Sequence, residues 1–143
     1  MNIAFFLTPK KDVVCVEENS TMRQVLEKME HHRYTAIPII NHKGEYIGTV
    51  TEGDLLWKIK NTDGLDFKNT EKVRLKDVPR RMKNTPVNIQ SDIEDLMNLA
   101  IHQNFIPVVD DNGIFVGIIK RSEIIRYYYE KAFGDLLKNS SAL

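Results

Sequence analysis

The chain has 143 residues, with 20 Lys plus Arg against 20 Asp plus Glu, so its formal net charge is zero. That balance argues against a broad electrostatic hold on nucleic acid or an anionic membrane, and any anion site has to be built locally. The one cysteine, Cys15, excludes an internal disulfide and suits a reducing compartment, and a chain of this length buries roughly 70% of its unfolded surface without metal or disulfide support.

The apolar patch at Ile3, Ala4, Phe5, Phe6 and Leu7 has no basic stretch before it and is ended by Pro9, Lys10, Lys11 and Asp12. It is too short for a signal-peptide core or a membrane span, so a cytoplasmic protein is expected. Val13 to Val16 reads as a short strand. Thr21-x-x-Gln24 fits a capping box, and Met22, Val25, Leu26 and Met29 follow at helical spacing, giving one apolar stripe. Ile37 to Ile40 and Tyr46 to Val50, joined by Asn41-His42-Lys43-Gly44, read as a hairpin. Leu55, Leu56 and Ile59 mark a second helix. A polar stretch with Asp63-Gly64 follows.

The same order then recurs. Val87 to Ile89 is a strand, Ser91-x-x-Glu94 a capping box, and Ile93, Leu96, Leu99 and Ala100 a helix stripe. Ile106 to Val109 and Phe115 to Ile119 make a hairpin, and Ile124, Ile125, Tyr128 and Tyr129 lie on a last helix. Pro38 with Pro107, Gly44 with Gly113 and Gly48 with Gly117 all stand 69 positions apart. A repeat in this register is a duplicated supersecondary unit. A three-strand unit of about 55 residues is marginal alone. The expected fold is therefore α+β, two β-α-β-β-α repeats packed with pseudo-two-fold symmetry into one globule. The bounds are 1–60 for the first repeat, 61–72 for a linker, 73–130 for the second repeat and 131–143 for a helix end and tail.

The doubled pattern resembles a CBS-domain pair, or Bateman module. The segments that carry the resemblance are Tyr34-Thr35-Ala36-Ile37-Pro38-Ile39-Ile40 and Gly48-Thr49-Val50-Thr51-Glu52-Gly53-Asp54-Leu55. They recur as Asn104-Phe105-Ile106-Pro107-Val108-Val109 and Gly117-Ile118-Ile119-Lys120-Arg121-Ser122-Glu123-Ile124. The resemblance covers residues 1–130. It implies a regulatory module that binds an adenosine-containing ligand between the repeats, dimerises, and modulates another protein. It implies no catalytic cofactor.

Thr51 and Asp54 are the leading site candidates. Thr51 stands where a strand enters a helix, and free amides and the helix dipole favour a phosphate there. Asp54 follows at i+3, and a carboxylate accepts from both hydroxyls of a ribose. The same tetrapeptide also suits a plain helix cap. In the second copy Lys120 replaces Thr51 and Glu123 replaces Asp54, with Arg121 between them, so phosphate would be held by cations or the helix start is simply solvated.

By resemblance, the backbone of Asp12-Val13-Val14 and of Thr85-Pro86-Val87 would read the adenine. Tyr34, Ala36 and Ile37 would line the first site, and Asn104, Phe105 and Ile106 the second. Core packing is the plainer role for Ile37 and Ile106. Arg33 and His102 would reach across to phosphate, unless Arg33 only caps a solvated helix end.

Trp57 and Tyr127 to Tyr129 suit packing or a dimer interface. No Cys pair or His-Glu-x-x-His spacing accompanies the four histidines, so no metal site is expected. Nucleophile-elbow, P-loop and dinucleotide-binding motifs are absent, so no enzyme is expected. The competing reading is a ligand-free interaction or dimerisation module, associated with nucleic acid through the basic run Lys76 to Lys83.

Overall fold

The computed structural model describes residues 1–141, so the last two residues of the expected tail, 142 and 143, lie outside the described residues. The elements are β1 (Thr8–Pro9), β2 (Val16–Glu17), α1 (Met22–His32), β3 (Ala36–Ile40), β4 (Tyr46–Thr51), α2 (Glu52–Lys60), β5 (Val87–Asn88), α3 (Met97–His102), β6 (Phe105–Val109), β7 (Phe115–Lys120) and α4 (Arg121–Ser141). β2 runs parallel to β3, and β3 antiparallel to β4, giving one three-stranded sheet. β5, β6 and β7 repeat this, and β1 extends their sheet to four strands.

The local causes are those expected of the sequence. Thr21 caps α1 through a reciprocal box, its hydroxyl accepting from the Gln24 amide at 3.2 Å while the Gln24 side chain accepts from the Thr21 amide at 2.9 Å. α1 stops at Arg33, which turns into the left-handed region at φ 59°. Each hairpin turns on a glycine with positive φ, Gly44 at 82° and Gly113 at 80°.

The halves meet at these turns. The Tyr46 amide donates to the Gly113 carbonyl at 3.2 Å, and the Phe115 amide to the Gly44 carbonyl at 2.9 Å. These two bonds are symmetry mates, since 46 and 115, like 44 and 113, are 69 apart. The Tyr46 and Phe115 rings lie 6.1 Å apart across the same seam.

Three expectations shift in the structure. The cap at Ser91 and Glu94 moves by one residue: the Asp92 amide donates to the Asp95 carboxylate, and the helix opens with a tight 3₁₀ turn, Ile93–Leu96, before α3. The cause is the N-terminal chain, for Ile3 donates to the Ser91 carbonyl and Ile93 to the Met1 carbonyl, which pins this turn.

The polar stretch 61–72 ends in a helical turn, Thr70–Lys72, in which Thr70 is buried. The domain bounds also blur in space. Ile3 packs in the second half's core, and β1 pairs with β7, so the leading arm of the first repeat belongs to the second. Reciprocally, Leu75 and Val78, which lead into the second repeat, pack in the first half's core, with Leu75 donating to the Ser20 carbonyl at 2.8 Å. Gly117 permits the β1 contact. A Cβ there would run into the Thr8 carbonyl oxygen and lie 3.1 Å from the Pro9 Cα.

Candidate functional site

β3 and β4 present Ala36, Thr49 and Thr51 on one face, because Ala36 pairs with Thr51 and Pro38 with Thr49. β6 and β7 present Phe105, Ile118 and Lys120 in the same way. Where these two inner faces approach, two crevices open. The first, of about 240 Å³, is lined by Thr51, Glu52 and Gly53 at the mouth of α2, and by Thr49, Asn84 and Asn104. The second, of about 120 Å³, is lined by Lys120, Tyr34, Pro38 and the arm residues Thr8, Asp12, Val13 and Val14. Ala36 and Phe105, which are 69 positions apart, form a wall common to both.

The lining is thus exchanged relative to the sequence expectation. Tyr34 faces the second crevice and Asn104 the first, because the two sheets approach about a two-fold axis and each supplies one wall to its partner's crevice. Ile37 and Ile106 line neither; both are fully buried in the cores. Arg33 is exposed and opens onto a separate groove of about 680 Å³ against α1, with Arg23 and Glu30. His102 is exposed at the end of α3. Arg121 begins α4, and the Glu123 carboxylate sits 3.7 Å from Arg126.

Asp54 is 2% exposed. Its Oδ2 accepts from the Thr51 amide at 2.9 Å, and the Thr51 hydroxyl accepts from the Asp54 amide at 3.2 Å, so the pair caps α2 reciprocally. Its Oδ1 accepts from the Arg81 amide at 3.0 Å. Asp54 does not line the Thr51 crevice; it lines a separate pocket of about 240 Å³ with Trp57, Asn61, Pro79 and Arg81, and Arg81 lies 5.5 Å over the Trp57 ring. Each carboxylate oxygen retains a lone pair.

Asp54→Ala removes the carboxylate half of the reciprocal box and strands the Thr51 and Arg81 amides, while the Thr51 hydroxyl still caps α2. We expect it to lower the stability of the ligand-free protein by about 2 kcal/mol in urea unfolding, and Asp54→Asn, which keeps one acceptor, to lower it less.

Of the backbone groups of Thr85, expected to read a base, the amide is taken up by Gln103, while the carbonyl keeps a second lone pair. The amide donates to the buried Gln103 side chain at 2.9 Å, and the carbonyl accepts from Gln103 Nε2 at 3.3 Å. The Val13 amide is likewise bonded to the Lys10 carbonyl. Pro86 is exposed beside Thr85.

Asn84, which sequence reasoning passed over, lines the first crevice. Its main-chain carbonyl accepts from the Tyr46 hydroxyl at 3.0 Å, so the Thr49 hydroxyl, 2.8 Å away, donates to the phenol oxygen. Burial raises the Tyr46 phenol above its ordinary value, against the pull of Thr49 and Arg80, which keeps it a donor. Among the described residues the Asn84 Oδ1 is buried and has no hydrogen-bond partner. Only its neighbours in space mark it out, and those are invisible in a linear chain.

A model of the CBS domain matches residues 6–61 and 75–130. The chain belongs to the CBS-domain family. It is 26% identical to the Arabidopsis thaliana CBS domain-containing protein CBSX1, chloroplastic, over 147 residues, covering 85% of this chain and 61% of CBSX1. The chain thus spans about three fifths of that relative's length. Among solved structures, CbpB in complex with c-di-AMP superimposes with a TM-score of 0.79 at 21% identity, covering 99% of this chain and 90% of that one. CBSX2 in complex with AMP does so with a TM-score of 0.72 at 22% identity, covering 92% and 98%. These likenesses show the fold, a CBS pair of α+β build. No described helix is long and apolar enough to cross a membrane. No group of three or more His, Cys, Asp or Glu among the described residues is placed to hold a metal ion.

Proposed function

We infer that this CBS pair is a cytoplasmic regulatory module that binds an adenine nucleotide between its halves, carries out no reaction itself, and modulates a separate protein. The observation that carries this is the first crevice, which sets the Thr51 hydroxyl and Gly53 of the α2 N-terminus beside the apolar Ala36 and Phe105 wall, the neighbouring Glu52 and Asp54 amides being taken up by the Thr35 carbonyl and the Thr51 hydroxyl. A helix mouth suits phosphate, and a small apolar wall suits a base. Supporting it, CBS structures of the same fold were determined in complex with AMP and with c-di-AMP.

In this reading Thr51 and Gly53 hold phosphate, and Asp54 accepts ribose hydroxyls once the Arg81 amide gives way. Lys120, with Arg121 and Glu123 nearby, gives the second crevice a weaker, cationic version of the same site. Leu56 on α2 and its repeat mate Ile125 on α4 are both exposed, which suits self-association through the helical faces.

A thermal-shift panel with AMP, ADP, ATP and c-di-AMP tests the reading. A nucleotide at 100 times its Kd adds about 2.7 kcal/mol, which moves the midpoint by several degrees. Thr51→Val is expected to weaken the bound nucleotide about tenfold by calorimetry. The absence of any shift across the panel sinks the nucleotide reading.

A further inference from the structure

Five large apolar side chains of the second repeat's helices, Met97 and Ile101 on α3 and Ile125, Tyr129 and Phe133 on α4, are between 40% and 64% exposed. Met97 and Ile101 stand one turn apart, and Ile125, Tyr129 and Phe133 recur at i, i+4 and i+8, so each helix carries an outward stripe. The opposite side of these helices, with Leu96, Ala100 and Ile124, fills the core, and α3 packs against α4. The outward stripes therefore contribute nothing to the fold.

The first repeat shows the same positions built for water. Its α1 stripe leads the second by 71 positions (Met22 against Ile93) and its α2 by 69 (Leu56 against Ile125). Glu30 thus stands where Ile101 does, and Lys60 where Tyr129 does, both exposed. Leu26, the mate of Met97, packs on the first core instead. α2 ends at Lys60, so Phe133 has no mate. Trp57 is screened by cations, Lys60 and Arg81 each lying 5.5 Å from its ring. Among the described residues Leu56 is the one exposed aliphatic side chain on α1 and α2.

We propose that the chain forms a homodimer through the α3–α4 face of the second repeat alone, two copies covering each other's stripes about a two-fold axis near Tyr129 and leaving the α1–α2 face free. This narrows the self-association inferred above, on which it rests. Half-exposed side chains of this size offer about 100 Å² each, so two copies bury about 1,000 Å², the least a specific interface needs. The α4 stripe is also its own complement. A second copy running antiparallel and centred on Tyr129 brings Ile125 of each copy to Phe133 of the other. Arg126 and Glu130, a turn apart on one flank, then meet the opposite charge. Pairing with the first repeat would instead set Ile101 and Tyr129 against Glu30 and Lys60.

Sedimentation velocity on the full chain tests the assignment. The wild type is expected to be dimeric at micromolar concentration. Ile101→Glu and Tyr129→Lys each install the first repeat's residue at an exposed position. Each is expected to weaken the dimer by about 30-fold or more, with an unchanged circular dichroism spectrum. Leu56→Glu is expected to leave it as it was. Because the axis sets Tyr129 against itself, Tyr129→Lys and Tyr129→Glu are each expected to be monomeric alone and to dimerise when mixed.

A dimer that Leu56→Glu weakens as much as Ile101→Glu does overturns the assignment and leaves self-association through both helical faces standing. Failure of the lysine and glutamate variants to associate on mixing overturns the two-fold pairing at Tyr129. A wild type that stays monomeric throughout the micromolar range overturns both readings and gives the face to a different occupant.

Discussion

Truncating Phe115 to alanine is expected to reduce the unfolding free energy by about 3–5 kcal/mol, the usual cost of emptying a buried aromatic position. Phe115 is 1% exposed and lies at the seam between the halves, beside Tyr46 and next to the paired amide bonds that join the two hairpin turns. The cavity left behind would be lined by groups from both repeats, so neither half could close it alone. Urea unfolding followed by far-ultraviolet dichroism and by Trp57 fluorescence measures both the loss and the cooperativity. Trp57 sits in the first half, so a variant whose fluorescence and dichroism transitions separate has lost the coupling between repeats. A loss under about 1 kcal/mol would contradict a seam packed by side chains of both halves.

Ile3→Ala should cost about 3 kcal/mol, which is large for a residue three positions from the chain start. Termini are commonly loose, but Ile3 is fully buried among Ile93, Leu96, Ile106 and Ile124. The arm that carries it is bonded to Ser91 through its own amide and to Ile93 through the Met1 carbonyl. The damage should therefore appear in the second repeat, some ninety residues away in sequence. Native-state hydrogen exchange resolves this: amides of β6 and β7 should lose protection before those of β3 and β4. Accelerated exchange confined to the first repeat would refute the arm's placement. Leu75→Ala is the mirrored experiment, since Leu75 packs into the first core.

Much of this architecture is legible in the linear chain. The 69-residue offset predicts both hairpins, both positive-φ turn glycines and the helices that follow, because these depend on local spacing and turn chemistry. The Thr21 and Thr51 boxes are equally local. What escapes is whatever depends on a distant segment. The Ser91 cap slips to Asp92 because the N-terminal arm claims the neighbouring backbone groups. Tyr34 and Asn104 trade crevices because two-fold packing gives each sheet a wall of the other's site. Asp54 is recognisable as an acceptor, but its bond to the Arg81 amide joins groups 27 positions apart. Asn84 carries no motif, and only burial without a partner distinguishes it.

The reciprocal placement of the arms has an evolutionary corollary. A half-length ancestor with the same unit would have left one core short of an isoleucine or leucine plug unless it traded arms with a twin. Fusion of two such genes converts that exchange into an intramolecular one. It also frees the two mouths, formerly identical by symmetry, to diverge. Thr51 with Asp54 in one copy stands against Lys120 with Glu123 in the other. An engineer wishing to isolate one repeat should therefore not cut at residue 60. A circular permutant that starts near residue 10 and returns the first nine residues after a linker would keep each plug with the core it fills.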